Sequence, residues 1–377
     1  MSDTARPPVR LRADVLAVPA YRQGATPTKA GFKLSSNENP FEPLPGVLEA
    51  IQARGDINRY AAAAMPDLRA AIAGDFETSI DHVHLGAGSV AILFQLVQAA
   101  AGPGDEVVFA WPSFEAYPSL GLASGAVNVP VPLNDRAEHD LDVMADAITD
   151  RTRVILLCTP NNPTGPTIRR DAFDRFMLRV PSDTLVVLDE AYREFVTDPD
   201  AVRGEDVLRR HPNLVVLRTF SKAYGLAALR VGYGVGDPAI LGAAASVGIP
   251  LSVTGLAETA ARASLEPAAR AAHAERLAIL VERRDALAAA LRELGLTIPD
   301  AQGNFVWIPQ SDTVDAVALA AAFAEAGTLV RPFAGAGVRI SVGEPESVPV
   351  VLDIVRGFLA EHIRPDAPSL ITLDRDE

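Results

Sequence analysis

Short apolar runs alternate with helical patterns from about residue 45 of this 377-residue chain, and this alternation constrains the fold most strongly. The predicted strands cover residues 106–110, 153–158, 185–188 and 214–217. The predicted helices cover residues 46–54, 66–76, 90–101 and 171–178. Strands that are apolar on both faces are typical of a mostly parallel sheet covered by helices on both sides. The sequence therefore predicts an α/β fold.

A second and smaller unit follows a long helical pattern at residues 266–294. Its predicted elements are a strand at 304–308, a helix at 314–326, strands at 329–331 and 338–342, and a closing helix at 347–362. We expect an N-terminal arm at residues 1–35 that is part of the small domain. A large ligand-binding domain at residues 36–275 and a small α+β domain at residues 276–377 complete the predicted division.

Composition and charge exclude several classes of protein. A net charge of −14 disfavours nucleic acid and anionic membrane surfaces as partners. No apolar run reaches the length of a membrane span, and the N-terminus lacks the apolar core of a secretory signal. The single cysteine, Cys158, cannot form an intramolecular disulfide, which fits a reducing compartment. We predict a cytoplasmic protein.

Lysine is almost absent from the chain. Lys29, Lys33 and Lys222 are its three lysines among 34 basic residues, so the other 31 are arginines. Arginine replaces lysine in many solvated roles, but its guanidinium stays protonated and cannot act as an amine nucleophile. Lys222 closely follows the predicted strand at 214–217, which favours Schiff-base chemistry. A chance surface lysine is the alternative interpretation.

A glycine-rich turn at residues 84–90 precedes a predicted helix. Ligands bind at the carboxyl ends of the strands in sheets of this kind. Backbone N–H groups of Gly88, Ser89 and Val90 can form a nest for a phosphate at the start of the helix. The turn also fits a weak dinucleotide-binding pattern. No acidic residue follows the next strand to hold a ribose, which disfavours that interpretation.

Two further strand ends carry side chains suited to a planar heterocycle. Phe114 follows the strand at 106–110 and can stack on a flat ring, although an ordinary core phenylalanine is the alternative. Asn162 lies in a rigid loop at residues 159–165 and can donate a hydrogen bond to a phenolate oxygen. A plain turn is the alternative for this loop.

Acidic residues end the strand at 185–188. Asp189 can keep a pyridine nitrogen protonated, and Tyr192 can bond a phenolic oxygen. Glu190 competes for the acidic role, but strand alternation directs its side chain to the opposite face.

The segment around Lys222 adds groups that suit a phosphate. Thr219 and Ser221 carry hydroxyls, and Arg230 carries a bidentate guanidinium, although it is easily a surface charge when taken alone. One cofactor, pyridoxal 5′-phosphate, explains the lysine, the carboxylate, the donors, the ring and the phosphate groups together. A cofactor-sensing module without catalysis and a dinucleotide-dependent oxidoreductase are the alternatives. His82 and His84 lack further ligands at metal-binding spacing, so we expect no metal.

These motifs resemble the fold-type I aminotransferases, in the histidinol-phosphate aminotransferase branch, over nearly the whole chain. The matching segments are residues 34–41, 58–60, 161–165, 189–192, 219–226 and 339–343. The turn at 88–90 and the segment 111–117 look more like the actinobacterial aromatic amino acid (phenylalanine) aminotransferases. Four positions depart from the usual pattern: Val90 and Ala91 replace two acidic residues, Phe114 a tyrosine and Ala61 a proline.

The resemblance implies a fold-type I fold and further residue roles. Tyr60 resembles a tyrosine that reaches the cofactor phosphate of the neighbouring subunit, which implies a homodimer. Arg339 resembles the arginine that binds the substrate α-carboxylate. Four further residues resemble positions of the substrate pocket, namely Tyr21, Asn37, Asn304 and Arg331.

The predicted reaction moves an amino group between an aromatic L-amino acid and 2-oxoglutarate, with Lys222, Asp189 and Tyr192 as catalytic residues. Histidinol-phosphate aminotransferase, an enzyme of histidine biosynthesis, is the alternative. Arg331 keeps this alternative open, because a second arginine can grip a substrate phosphate as well as the distal carboxylate of glutamate.

Overall fold

The computed structural model describes residues 9–18, 31–62 and 65–362. The strands of its large sheet are β1 Val83–Gly86, β2 Glu106–Trp111, β3 Val127–Pro132, β4 Thr152–Cys158, β5 Leu185–Asp189, β6 Leu214–Thr219 and β7 Gly232–Val235. They lie in the order β1-β7-β6-β5-β4-β2-β3. Strand β7 runs antiparallel to both of its neighbours, and the other pairs are parallel. The predicted α/β architecture is confirmed.

Helices cover both faces of this sheet. The helices up to residue 264 are α1 Ala13–Leu16, α2 Val47–Gln52, α3 Pro66–Asp75, α4 Ser89–Ala100, α5 Tyr117–Ser124, α6 Leu141–Asp146, α7 Arg170–Met177, α8 Gly204–Val207, α9 Pro238–Ser246 and α10 Gly255–Ser264. Val186 of β5 packs in a cluster with Phe173 of α7, whereas Val187 packs in another with Leu93 of α4. Successive residues of β5 therefore pack into two different hydrophobic cores, one on each face of the sheet, as a sheet covered on both sides requires.

A second unit packs on a three-stranded antiparallel sheet. Its elements are α11 Pro267–Glu293, β8 Phe305–Pro309, α12 Ala316–Glu325, β9 Arg331–Phe333, β10 Gly337–Ser341 and α13 Ser347–His362, with the sheet order β8-β10-β9. Leu34 shares its core with Leu287, Val306 and Phe323. This contact favours assigning the N-terminal arm to the small domain, but the boundaries at residues 35 and 275 stay a prediction.

The structure corrects one predicted strand and adds several elements. The strand predicted at residues 329–331 is displaced, since β9 begins at Arg331 and Leu329 instead exchanges backbone hydrogen bonds with Phe32 and Leu34. Strand β3 escaped prediction because it contains two prolines, which an edge strand tolerates. Helices α5, α6, α9 and α10 were also not predicted.

Strand β7 was also not predicted, because its sequence contains two glycines that obscure the strand pattern. Gly232 is needed there because a Cβ would lie 2.4 Å from the backbone nitrogen of Ser89. This close approach seats β7 against the start of α4. Within the described residues, no helix is long and apolar enough to cross a membrane.

Candidate active site

The ends of three adjacent parallel strands bring the candidate residues together. Cys158 at the end of β4 pairs with Asp189 at the end of β5, and Asp189 pairs with Leu217 of β6. The loops that leave these strands carry Asn162 and Lys222. Parallel strands in register deliver their carboxyl ends to one edge, which is where α/β sheets bind ligands.

Asp189 has one buried oxygen that the described residues do not engage. The residue is 3 % exposed; its Oδ2 accepts a hydrogen bond from Tyr117 at 3.1 Å, whereas Oδ1 has no hydrogen-bond partner. Burial raises the pKa of Asp189 to about 6, and the Tyr117 hydrogen bond opposes that rise. An unpaired buried carboxylate oxygen is costly, so this atom is suited to a protonated ring nitrogen.

Glu190 points to the opposite face, as strand alternation predicted. Its carboxylate accepts from the backbone nitrogen of Gly204 at 2.7 Å and from Nε of Arg218 at 2.9 Å. Glu190 is therefore a fully engaged structural group, and Asp189 is the carboxylate that faces the site.

Tyr117, at the start of α5, is a functional candidate that the sequence motifs did not assign a role. Its buried hydroxyl donates to Asp189, and its ring contacts Phe114 edge to face at 5.7 Å between centroids. The signal available in the sequence was its position six residues after β2. Only the fold shows that this position faces β5.

We expect Tyr117→Phe to lower the turnover number by about 10- to 100-fold, because a hydrogen bond to a charged group contributes about 1.5–3 kcal/mol. Loss of the donor also raises the pKa of Asp189 further, so the pH profile should shift upwards on its acid side. Steady-state kinetics from pH 5 to 9 measure both effects. The control is Tyr224→Phe, which removes the hydroxyl of a ring stacked on His273 and keeps the ring. Equal losses in both variants would contradict the assignment.

Lys222 projects its amine into the same site. Its Nζ donates to the carbonyl oxygen of Ser36 at 2.9 Å and lies 5.9 Å from the ring centroid of Tyr192. Burial lowers the pKa of Lys222 to about 7, with smaller contributions from Arg339 and Arg230. A large fraction of the amine is therefore neutral near pH 7, which a nucleophile requires.

A buried polar network holds Tyr192 and two predicted pocket residues. The Tyr192 hydroxyl accepts a hydrogen bond from Nδ2 of Asn37 at 3.0 Å. Asn37 adopts a left-handed φ of 52°, its Oδ1 accepts from Ser341 at 2.8 Å, and its carbonyl accepts from Asn304 at 3.1 Å. Burial raises the pKa of Tyr192, so the phenol stays protonated and remains a donor.

Arg339 lies on β10 and reaches the same group of residues. It is 5 % exposed and donates to Oδ1 of Asn162 at 2.5 Å and to the carbonyl oxygen of Ser35 at 2.6 Å. Because Oδ1 of Asn162 is used in this way, its amide nitrogen is the end that can donate to a ligand. Arg331 lies directly opposite Arg339 on β9, where it binds Glu115.

The turn at Gly88, together with Ser221 and Arg230, forms a small concave group of hydrogen-bond donors, called the cup below. Helix α4 begins at Ser89, with Gly88 as its cap and Val90 as its second residue, so their backbone N–H groups line the helix start. A Cβ on Gly88 would lie 2.5 Å from Nη2 of Arg230. Nη1 of Arg230 donates to the hydroxyl of Ser221 at 3.2 Å. The hydroxyl of Thr219 in turn accepts from the backbone nitrogen of Ser221 at 3.1 Å.

This arrangement suits an anion with several acceptor oxygens. Helix N–H groups, a hydroxyl and a guanidinium are the donors that phosphate groups bind in proteins. The donors on α4 are backbone groups, so the valine at position 90 does not weaken the cup.

Two predicted residues lie outside this group. Tyr60 is 84 % exposed and lines a cavity of about 950 Å³ with Ile57 and Ile249, and Lys222 is not part of that lining. Tyr21 lies outside the described residues. Every other predicted site residue belongs to the network around Asp189 and Lys222 or to the neighbouring cup and arginine pair.

Comparisons with known proteins identify the class that this fold and site define. Residues 29–355 match the family described as Aminotransferase class I and II. An aromatic amino acid aminotransferase from Streptomyces avermitilis is 49% identical over 93% of this chain and 98% of its own. A protein of the same name from Thermobifida fusca is 48% identical over 94% and 98% of the two chains.

Solved structures agree with this result. A histidinol-phosphate aminotransferase from Sinorhizobium meliloti, in complex with pyridoxal-5′-phosphate, has a TM-score of 0.83 and 26% identity over 93% of this chain and 98% of its own. A Thermus thermophilus aspartate aminotransferase mutant complexed with tryptophan has a TM-score of 0.81 and 27% identity over 93% and 100%. The chain belongs to the class I and II aminotransferases. The predicted fold-type I aminotransferase is thus confirmed, and the oxidoreductase alternative is wrong.

Proposed function

We propose that this aminotransferase uses pyridoxal 5′-phosphate to exchange an amino group between an aromatic L-amino acid and 2-oxoglutarate. The observation that carries the cofactor assignment is the unpaired oxygen of buried Asp189, on the same sheet edge as Lys222, whose pKa burial lowers to about 7. Relatives 46–49% identical, all named aromatic amino acid aminotransferases, support the donor class. The histidinol-phosphate aminotransferase named above matches at only 26% identity.

The residues present fit the cofactor atom by atom. Oδ1 of Asp189 would accept the ring N–H, and Asn162 and Tyr192 would donate to the phenolic oxygen. The ring of Phe114 would cover the heterocycle. The phosphate would be held by Gly88, Ser89, Val90, Thr219, Ser221 and Arg230. When bound, pyridoxal phosphate supplies an aldehyde for an amine and a ring that withdraws electrons from the substrate α-carbon.

The amine nitrogen Nζ of Lys222 has two roles, first as a nucleophile and then as a base. Its neutral Nζ would hold the cofactor through the aldehyde group, with loss of water, and the same atom, once free, would move the proton at the substrate α-carbon. Asp189 holds the proton on the ring nitrogen, and Tyr117 keeps that carboxylate ionised and oriented. Arg339 binds the α-carboxylate through its planar fork, which orients the Cα–H bond towards Lys222. Asn37 and Asn304 hold Tyr192 and the pocket wall in place.

The lowered pKa of Lys222 predicts how fast cofactor-free protein captures pyridoxal phosphate at different pH values. The capture rate should fall about tenfold for each pH unit below 7, because only the neutral amine reacts, and it should level off above pH 8. Stopped-flow absorbance of the lysine-bound cofactor measures the rate. The same reaction with free Nα-acetyl-lysine corrects for ionisation of the cofactor itself. A rate that keeps rising to pH 10 would contradict an amine of lowered pKa.

The proposal includes a cytoplasmic homodimer, acting in amino-acid biosynthesis, in which Tyr60 contacts the cofactor phosphate of the neighbouring subunit. Three large and exposed side chains that line one cavity support a surface for contact between subunits. Ile57, Tyr60 and Ile249 are 78%, 84% and 79% exposed. A single folded chain gains nothing by leaving such side chains in water, whereas a symmetric dimer buries them.

Subunit complementation tests the role of Tyr60. We expect Tyr60→Ala and Lys222→Ala homodimers to be weak and inactive, respectively. Dimers that combine one subunit of each kind contain one site with both residues intact, so random mixing should restore about a quarter of wild-type activity. Absence of any recovery in verified mixed dimers would place the action of Tyr60 within its own subunit.

The donor is tested by a single-turnover spectrum of the cofactor-loaded enzyme. The enzyme is mixed separately with phenylalanine and with histidinol phosphate, and loss of the absorbance band of the lysine-bound cofactor is followed. We expect conversion with phenylalanine to be much the faster of the two. Faster conversion with histidinol phosphate would assign the protein to histidine biosynthesis instead.

A further inference from the structure

Arg331 is held by a carboxylate that the sequence motifs did not implicate. Its Nε donates to Oε2 of Glu115 at 3.0 Å, and its Nη2 donates to Oε1 at 2.7 Å. Both oxygens of Glu115 thus face the guanidinium fork in the bidentate geometry that gives the strongest arginine–carboxylate pairs. The two side chains are 19% and 26% exposed, so the pair is largely shielded from solvent.

The register of the small sheet places this ion pair beside the α-carboxylate position. Arg331 of β9 is directly opposite Arg339 of β10. Directly opposed residues share one face of an antiparallel pair, with Cβ atoms about 4.5–5.5 Å apart. Glu115 adjoins Phe114, whose ring contacts Tyr117 next to Asp189. The pair therefore lies beside the position that the substrate α-carboxylate takes once Arg339 holds it.

The charges of these three residues select among the candidate donors. Two guanidiniums and one carboxylate leave a single positive charge, which a single substrate carboxylate neutralises. An aromatic amino acid brings one such group to Arg339. Histidinol phosphate has no carboxylate: its phosphate ester takes that place and brings up to two negative charges next to Glu115, where like-charge repulsion disfavours it.

From this geometry we infer that Glu115 is a specificity-determining residue that partly neutralises Arg331 and so disfavours a doubly charged phosphate at the position of the α-carboxylate, while it admits the singly charged carboxylate of an aromatic amino acid. The inference rests on the proposed function, because it assumes that Arg339 binds the α-carboxylate. It gives Arg331 a part in specificity that neither a phosphate-gripping nor a carboxylate-gripping arginine has. Arg331 is the partner that keeps Glu115 at the pocket, and the carboxylate supplies the repulsion.

The test compares wild type with Glu115→Gln, which keeps the shape of the side chain and removes its charge. The probes are phenylalanine and histidinol phosphate as donors, and inorganic phosphate as a competitive inhibitor. We expect kcat/KM for histidinol phosphate to rise and the inhibition constant of phosphate to fall by about 10- to 100-fold, the range for a charge-assisted hydrogen bond. For phenylalanine, kcat/KM should rise by only about 3- to 10-fold, because its carboxylate carries half the charge of the phosphate dianion; equal gains for the two donors would contradict the inference.

Two further variants separate a local effect from a general one. Glu77→Gln removes the same charge from the exposed Glu77–Arg209 pair and should leave phosphate inhibition unchanged. Glu115→Gln combined with Arg331→Gln should lose the gain in phosphate binding, because the guanidinium that receives the phosphate is gone. A gain that survives in this double variant would overturn the part assigned to Arg331.

The outcomes distinguish the inference from the proposed function. Unchanged phosphate inhibition in Glu115→Gln, with thermal unfolding like that of wild type, would overturn the inference even if phenylalanine is the preferred donor. Failure of the wild type to convert phenylalanine would instead overturn the proposed donor. Equal gains in Glu115→Gln and Glu77→Gln would reduce the effect to net charge and so reject a role for the pocket.

Discussion

Lys222→Ala should reduce aminotransferase turnover on the order of 10⁴-fold or more, because the substitution removes the amine that binds the aldehyde and the base at the α-carbon together. Pyridoxal phosphate should still bind noncovalently. Asp189 and the cup formed by α4, Ser221 and Arg230 hold its ring and phosphate without the lysine. Turnover assays and equilibrium dialysis of the cofactor measure the two effects separately.

A second lysine, Lys33, provides a matched control for the Lys222 variants. Lys33 is the other lysine within the described part of the chain, and it pairs with Glu38 at 2.9 Å. Lys33→Arg keeps that ion pair and should keep turnover, whereas Lys222→Arg should be as inactive as Lys222→Ala because guanidinium stays protonated. Near-wild-type turnover in either Lys222 variant would end the assignment of this residue, and with it the proposed chemistry.

The sequence predicted the parts of the site that follow strand ends. Asp189 stands directly after an apolar run and Lys222 and Asn162 within five residues of one. A parallel sheet carries such positions to one edge whatever the details of packing. The four strands predicted in the large domain were found for the same reason. Edge strand β3 and strand β7 were missed because prolines and glycines mask the strand pattern.

Contacts that depend on tertiary packing could not be predicted. Tyr117 and Glu115 lie in one short segment after β2, yet one contacts the end of β5 and the other contacts β9 of the small domain. Nothing local in the sequence specifies either partner, since the partners are 72 and 216 residues away. The network that joins Asn37, Tyr192 and Ser341 has the same origin: it forms only when the two domains meet.

Asp189→Asn should reduce turnover by about 10²- to 10³-fold, since the proton on the cofactor ring loses the charge that holds it. The same change should stabilise the cofactor-free protein. Burial raises the pKa of Asp189 from its ordinary value of 3.8 to about 6, so the folded state holds its proton more tightly than the unfolded chain. This difference corresponds to about 3 kcal/mol at most.

Because the pKa of Asp189 is raised on folding, the carboxyl group destabilises the folded protein only at pH values above its ordinary pKa. Well below pH 3.8, the ordinary pKa of the group, both states are protonated and Asp189 costs nothing. As pH rises from about 4 to 6 the unfolded chain ionises first, so the free energy of unfolding of wild type should fall, and it should level off above pH 6. Asparagine does not ionise, so the variant should lack this loss. Allowing for imperfect hydrogen bonding of the new amide, we expect it to be more stable than wild type by about 1–2 kcal/mol at pH 7.5.

Urea unfolding of cofactor-free protein at pH 5 and pH 7.5 measures this difference, and the neighbouring residue supplies the control. Glu190 is also buried, but its carboxylate pairs with Arg218 and accepts from Gly204, so Glu190→Gln should destabilise the protein at both pH values. Addition of pyridoxal phosphate should then stabilise wild type more than Asp189→Asn, because only the carboxylate meets the ring N–H with a full charge. Equal stabilisation of the two proteins by the cofactor would show that Asp189 does not face the ring nitrogen.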